Sequence, residues 1–152
     1  MDMVLKLKAV SPLIGKSIEL PSYATGGSAG MDLRACTTEP IVIAPGERVA
    51  VDTGIAIELP GNGYVAMICA RSGLSTKHGI ALANGVGVVD SDYRGEIRVS
   101  LINLSADAYT IKPGERVAQM LIMPVCIAKL QVCDELGETE RGSGGFGSTG
   151  RG

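Results

Sequence analysis

Stretches in which apolar and polar side chains alternate recur along the chain. They are VLKLKAV (residues 4–10), IVIAP (41–45), RVAVDTGIAIEL (48–59), YVAMICA (64–70), EIRVSLIN (96–103) and RVAQMLIMPV (116–125). A period of two sends successive side chains to opposite faces, so each stretch predicts a strand with one apolar face. Pro45-Gly46, Pro60-Gly61 and Pro113-Gly114 mark turns between them. One stretch, SGLSTKHG (72–79), fits a short helix with Ser72 as its N-cap. The last strand-like piece is AKLQVCDEL (128–136), and from Gly137 onward glycine, serine, threonine and charge take over. The pattern predicts an all-β domain over residues 1–136, a sandwich, barrel or jelly roll. A glycine-rich arm over 137–152 follows, expected to be flexible because glycine loses so much backbone entropy on ordering.

Composition narrows the class. With 152 residues, 45% of them hydrophobic, the chain fits one domain with a substantial core. A formal net charge of −2 gives no broad attraction to nucleic acid or to an anionic membrane, so an anionic ligand has to be met by local cations. The longest apolar runs, VAMICA and MLIMPVCIA, are too short to span a bilayer, and MDMVLKLKAV at the start lacks the apolar segment of a signal peptide. A soluble, cytoplasmic protein is expected. Cys36, Cys69, Cys126 and Cys133 form no C-x-x-C pair, and one histidine is too few for a Cys/His zinc site. Reduced, mostly buried thiols are expected.

Five stretches carry candidate chemistry. ALANGVGVVDSDYRGEIRVSL (81–101) reads as a β-hairpin whose glycines, Gly85 and Gly87, strip side chains from one arm. Glycine in a strand often marks the close approach of a ligand or another backbone, and a bare strand edge can pair with a flat base. Its centre holds Asp90, Asp92, Arg94 and Glu96, which on their own would equally make a solvated hairpin tip. In CARSGLSTKHG, Arg71, Ser72 and Gly73 combine a guanidinium, a hydroxyl and the start of a helix, which is an anion site or a cap beside a surface arginine. YATGGSAGMDLRACT places Asp32 after a glycine-rich bend, and GERVAQMLIMPV puts Gln119 on an alternating strand; each alone is more simply structural.

The fifth stretch is the tail GSGGFGST (142–149). It matches the glycine spacing of a Walker A loop with Ser148 in place of lysine, but no apolar strand precedes it and no helix follows, so the P-loop context fails. Its backbone N–H groups, the hydroxyls of Ser148 and Thr149, and Arg141 could still wrap a polyphosphate. Phe146, the one phenylalanine in the chain, sits in this tail, where no core could hold it.

In this order the five stretches resemble the five motifs of the trimeric deoxyuridine triphosphatases (dUTPases): GGSAGMDLRA, RSGLSTKHG, NGVGVVDSDYRGEI, GERVAQM and RGSGGFGSTG. The resemblance runs from about Tyr23 to Gly150. The chain departs from the pattern at Ala70, where the family usually has proline. The resemblance implies a distorted jelly-roll-like β-barrel with one short helix, a homotrimer with active sites at subunit interfaces, and Mg²⁺-dependent hydrolysis of dUTP to dUMP and pyrophosphate. That activity keeps uracil out of DNA and supplies dUMP for thymidylate synthesis; no nucleic acid or membrane partner is implied. By the same resemblance Asp90 is the general base and Tyr93 packs under the deoxyribose and excludes a 2′-hydroxyl. Asn84, Val88 and Val89 lie on the hairpin that reads uracil, and Arg98 lines that pocket. Arg71, Ser72 and Gly73 bind phosphates, Gln119 touches them from another subunit, and Asp32 orients water around the metal. Arg141, Phe146, Ser148 and Thr149 close over the ligand, with Phe146 stacked on the base. The related dCTP deaminases carry a glutamate where Ser100 stands, so deamination would lack its base here; a catalytically silent nucleotide sensor is the other rival.

Overall fold

Eleven short strands and one helix form the regular structure of the computed structural model, which describes residues 3–145. In chain order they are β1 (Lys6–Ala9), β2 (Met31–Arg34), β3 (Ile41–Ile43), β4 (Arg48–Asp52), β5 (Ile55–Glu58), β6 (Tyr64–Cys69), α1 (Ser72–His78), β7 (Ile80–Leu82), β8 (Gly87–Val89), β9 (Arg98–Asn103), β10 (Tyr109–Ile111) and β11 (Arg116–Pro124). All pairings between these strands are antiparallel. A four-stranded sheet runs β2-β11-β6-β8, a three-stranded sheet runs β4-β9-β7, and the pairs β1-β5 and β10-β3 complete the body. One continuous apolar cluster draws on all of these sheets except β1, with Leu33, Met120 and Ile68 from the first, Val51, Val99 and Leu101 from the second, and Ile57, Ile43 and Ile111 from the pairs. The all-β expectation holds, and the jelly-roll-like fold agrees with it.

The buried polar side chain Asn103 ties the strands together where β9 ends. Its amide donates to the Ile43 carbonyl at 2.9 Å and the Asp107 carbonyl at 2.8 Å, and its oxygen accepts from the Ser105 N–H and hydroxyl. Full pairing is what makes a buried amide tolerable.

Several expectations need correction. The stretch 48–59 is two strands, because Gly54 adopts φ +72° and a Cβ there would sit 2.5 Å from the Cys36 sulfur. The N-cap of α1 is Arg71, in extended conformation and without a side-chain capping bond; Ser72 is the first helical residue. Gly79, at φ 68°, closes the helix and donates to the Leu74 and Ser75 carbonyls. The hairpin over 81–101 forms only at its base, where β7 pairs with β9; β8 leaves it and pairs with β6. Residues 128–136 form no strand: Leu130 and Val132 are about 96% and 97% exposed, and among the described residues a strand there has no neighbour to complete its hydrogen bonds. The packed body ends with β11. Cys126 and Cys133 are exposed, Cys36 and Cys69 half-buried, so the thiols are less buried than expected. Four strands, β2, β7, β8 and β10, lie outside the alternating stretches, β7 and β8 within or beside the expected hairpin. Among the described residues no helix is long and apolar enough to cross a membrane.

Candidate active site

The sequence-predicted site residues fall into two separate clefts. The first opens where β8 parts from β9. It has a volume of about 250 Å³, with Ile68, Leu82, Ile97 and Val99 as apolar lining and Asn84, Asp90, Tyr93 and Arg98 as polar lining. Because β8 is the last strand of its sheet, the edge it turns away from β6 has no strand partner among the described residues. Gly87 makes the position of β8 possible: it stands opposite Ile68 in the register, and a Cβ on it would come 2.9 Å from that side chain. The close approach expected at Gly87 is therefore to β6. Gly85 serves a different need, the positive φ of 74° in the turn before β8, where its N–H donates to the Leu82 carbonyl.

Beyond β8 the chain turns sharply. Asp90 follows the last strand residue and is exposed, and its carbonyl accepts from the Tyr93 N–H at 3.2 Å. The Tyr93 hydroxyl donates to the Glu96 carbonyl at 3.0 Å. The Glu96 carboxylate accepts from the Gly54 N–H at 2.7 Å, which pins the returning strand to the β4–β5 corner. Arg98 donates through Nε to Asp52 at 2.6 Å on the neighbouring strand. The cleft thus offers an apolar slot, an unpaired backbone edge, one aromatic ring and an accessible carboxylate. Val88 and Val89, the two expected readers beside Asp90, both line it; Val89 is buried, and Val88 is exposed.

The second cleft, about 270 Å³, holds Gly30, Asp32, Arg71, Ser72, Gly73, Arg116 and Gln119. Strand register assembles it. Asp32 on β2 stands opposite Gln119 on β11, and Gln119 stands opposite Cys69, two residues before Arg71. Arg71 Nε donates to Asp32 Oδ1 at 2.9 Å and Arg116 Nη1 to Asp32 Oδ2 at 3.0 Å. The Gln119 amide donates to the Ala70 carbonyl at 3.0 Å, and a Cβ on Gly30 would lie 2.8 Å from its oxygen, so the glycine-rich bend gives Gln119 its room. Two guanidinium groups around one carboxylate leave a net positive cleft, suited to an anion. Arg116 was not singled out from the sequence: regular alternation puts it on the face opposite Gln119, and a bulge between Arg116 and Ala118 reverses this.

No lining residue is common to the two clefts. Asp32, Arg71, Ser72, Gly73 and Gln119 come together in one, and Asn84, Val88, Val89, Asp90, Tyr93 and Arg98 in the other. Arg141 lies in a turn, where its Nε donates to the Gly144 carbonyl at 2.8 Å. Phe146, Ser148 and Thr149 lie outside the described residues. No group of three or more His, Cys, Asp or Glu side chains suited to a metal ion occurs among the described residues.

Comparison with known proteins identifies the family. The family model for dUTPase matches residues 16–150. The deoxyuridine 5'-triphosphate nucleotidohydrolase of Idiomarina loihiensis is 52% identical over 146 residues, covering 96% of this chain and 97% of the relative. The enzyme of the same name from Escherichia coli is 48% identical over 145 residues, covering 95% and 96%. Among solved structures, a mutant dUTPase of Staphylococcus bacteriophage 80alpha with dUpNHpp superposes with a TM-score of 0.85 at 26% identity, covering 97% of this chain and 98% of that one. From the β-sheet body and the order of its motifs to the match along nearly the whole length, the chain belongs to the dUTPase family.

Proposed function

We propose that the protein hydrolyses dUTP to dUMP and pyrophosphate, in active sites that neighbouring subunits of a homotrimer complete together. The observation that carries this reading is the division of the site residues: a base-sized slot with a carboxylate lies in one cleft and a cationic anion site in another. A nucleoside triphosphate needs both. A neighbouring copy that docks the Asp90 cleft against the Arg71 cleft supplies both to one substrate. Exposed apolar side chains support assembly, with Ile127, Leu130, Val132 and Leu136 standing along a segment that finds no partner among the described residues.

In this reading uracil sits in the slot against the free edge of β8, and backbone groups between Asn84 and Val89 recognise its polar edge. Tyr93 packs against the deoxyribose. Asp90 takes a proton from the attacking water while the bond between the α- and β-phosphates breaks. Arg71, Ser72, Gly73 and Gln119 hold the phosphates and meet the charge gained by the departing pyrophosphate. The arm over 137–152 brings Arg141, Ser148 and Thr149 to the phosphates and Phe146 to the base, where stacking adds apolar contact.

The donor set also fits Mg²⁺ held chiefly by the substrate. Each Asp32 oxygen accepts one guanidinium N–H and keeps a lone pair for water, so Asp32 suits an outer-sphere role. When bound, Mg²⁺ withdraws charge from the phosphates.

Pyrophosphate release from dUTP by the purified protein tests the proposal. Ammonia released from dCTP would identify a deaminase instead, and no turnover of either would indicate a silent nucleotide-binding module.

A further inference from the structure

We propose that Arg116 is a positioning residue of the anion cleft, which holds Asp32 and, through it, Arg71 in the geometry that binds the phosphates. The inference rests on the phosphate-binding role given above to that cleft. Its basis is the register of β11. Met120 and Gln119 pair in step with Met31 and Asp32 of β2, but the ladder slips between Ala118 and Arg116. Without the slip Arg116, three residues from Gln119, would point to the core face. Instead Val117 and Ala118, 1% and 0% exposed, are both buried in succession, and Arg116 emerges on the side of Gln119. A bulge that re-aims one side chain is a common device beside functional sites.

The consequence is visible at Asp32. Its side chain is only 14% exposed and its two oxygens are divided between two arginines, 2.9 Å from Arg71 Nε and 3.0 Å from Arg116 Nη1. The main chain of Arg116 adds a longer contact, its carbonyl accepting from Arg71 Nη1 at 3.5 Å. Arg71 alone would only cancel the Asp32 charge and would hold the carboxylate on one side, leaving it able to turn. With Arg116 in place the carboxylate is held from both sides and the cleft keeps one positive charge in excess, while Arg71, bound through Nε, keeps most of its terminal N–H donors for phosphate oxygens.

The test uses the full-length Arg116→Gln, Arg116→Lys and Asp32→Asn variants and the Asp32→Asn/Arg116→Gln double variant. Calorimetric binding of dUpNHpp, KM and kcat for dUTP, and melting temperature are measured for each. Arg116→Gln is expected to weaken dUpNHpp binding and raise KM by about 10- to 100-fold, with the melting temperature within about 2 °C of wild type. Arg116→Lys, which keeps the charge without the fork, should fall between the two. The double variant should bind no worse than the weaker single variant, because both changes break one unit. Wild-type binding by Arg116→Gln, or losses that multiply in the double variant, would overturn the proposal. Should Arg116→Gln fail to fold, Arg116→Lys decides: weakened binding at an unchanged melting temperature supports the role, and unchanged binding overturns it. A wild-type protein that neither binds dUpNHpp nor releases pyrophosphate from dUTP would remove the underlying functional reading, an outcome no Arg116 variant can imitate.

Discussion

The Tyr93 hydroxyl donates to the Glu96 carbonyl at 3.0 Å, and the ring it anchors lies against Gly95. A Cβ on Gly95 would come 2.4 Å from the hydroxyl oxygen and 2.6 Å from the ring carbon that bears it. No atom pair tolerates that approach, so an alanine must push the ring aside. Gly95→Ala is therefore expected to relax discrimination between dUTP and UTP, because a displaced ring no longer crowds C2′. Both residues are exposed, so stability should change little. The ratio of kcat/KM for the two nucleotides checks this; an unchanged ratio would mean that the sugar is recognised elsewhere.

Asp90→Asn should abolish turnover and leave dUpNHpp binding nearly intact. Loss of a positioned general base costs about 10²- to 10⁴-fold. Single-turnover rates with dUTP measure the loss. A variant that kept most of its activity would pass the role to Asp92 or Glu96, which flank the same turn.

Asn103→Ala should be among the more damaging substitutions in the core. It leaves the Ile43 and Asp107 carbonyls without their amide donor at a fully buried position. Each orphaned group costs about 1–3 kcal/mol, which in a chain of this size lowers the melting temperature by several degrees. Thermal melts of the two proteins would show it, and an unchanged midpoint would contradict the role given to this side chain.

Alkaline pH should weaken the fold through Tyr109. Burial first, and then its hydrogen bond to Glu115 and that carboxylate's charge, push the phenol from 10.0 up to about 12. The folded chain therefore holds this proton more tightly than the unfolded one. The linked stability is fully present below pH 10 and is lost as pH rises through 12. Urea midpoints between pH 9 and pH 12 should fall more steeply for wild type than for Tyr109→Phe; parallel curves would refute the linkage.

Much of the fold was legible because period-two alternation is a local signal. β4, β6 and β9 each bury the residues that the alternation puts on one face, as with Val99 and Leu101 on β9. What alternation could not show was partnership between distant segments. The hairpin at 81–101 looked self-contained, yet β8 joins β6, and the cleft exists only because of that departure. Residues 128–136 alternate as a strand would, but a strand needs a neighbour, and the described residues of the chain supply none. The site residues were legible as motifs, while their grouping into two clefts came from register. Arg116 was hidden because one extra residue, Val117, reverses the parity of the strand.

The central claim, that neighbouring subunits each supply half of an active site, is tested most directly by complementation. Arg71→Ala and Asp90→Asn each disable one cleft and leave the other intact. The two inactive proteins are unfolded together in denaturant, refolded as a mixture, and assayed for pyrophosphate release from dUTP. If the site is shared between subunits, random assembly leaves about one site in four with both halves intact, and about a quarter of wild-type activity returns. If each chain carries a complete site of its own, the refolded mixture stays as inactive as its two components.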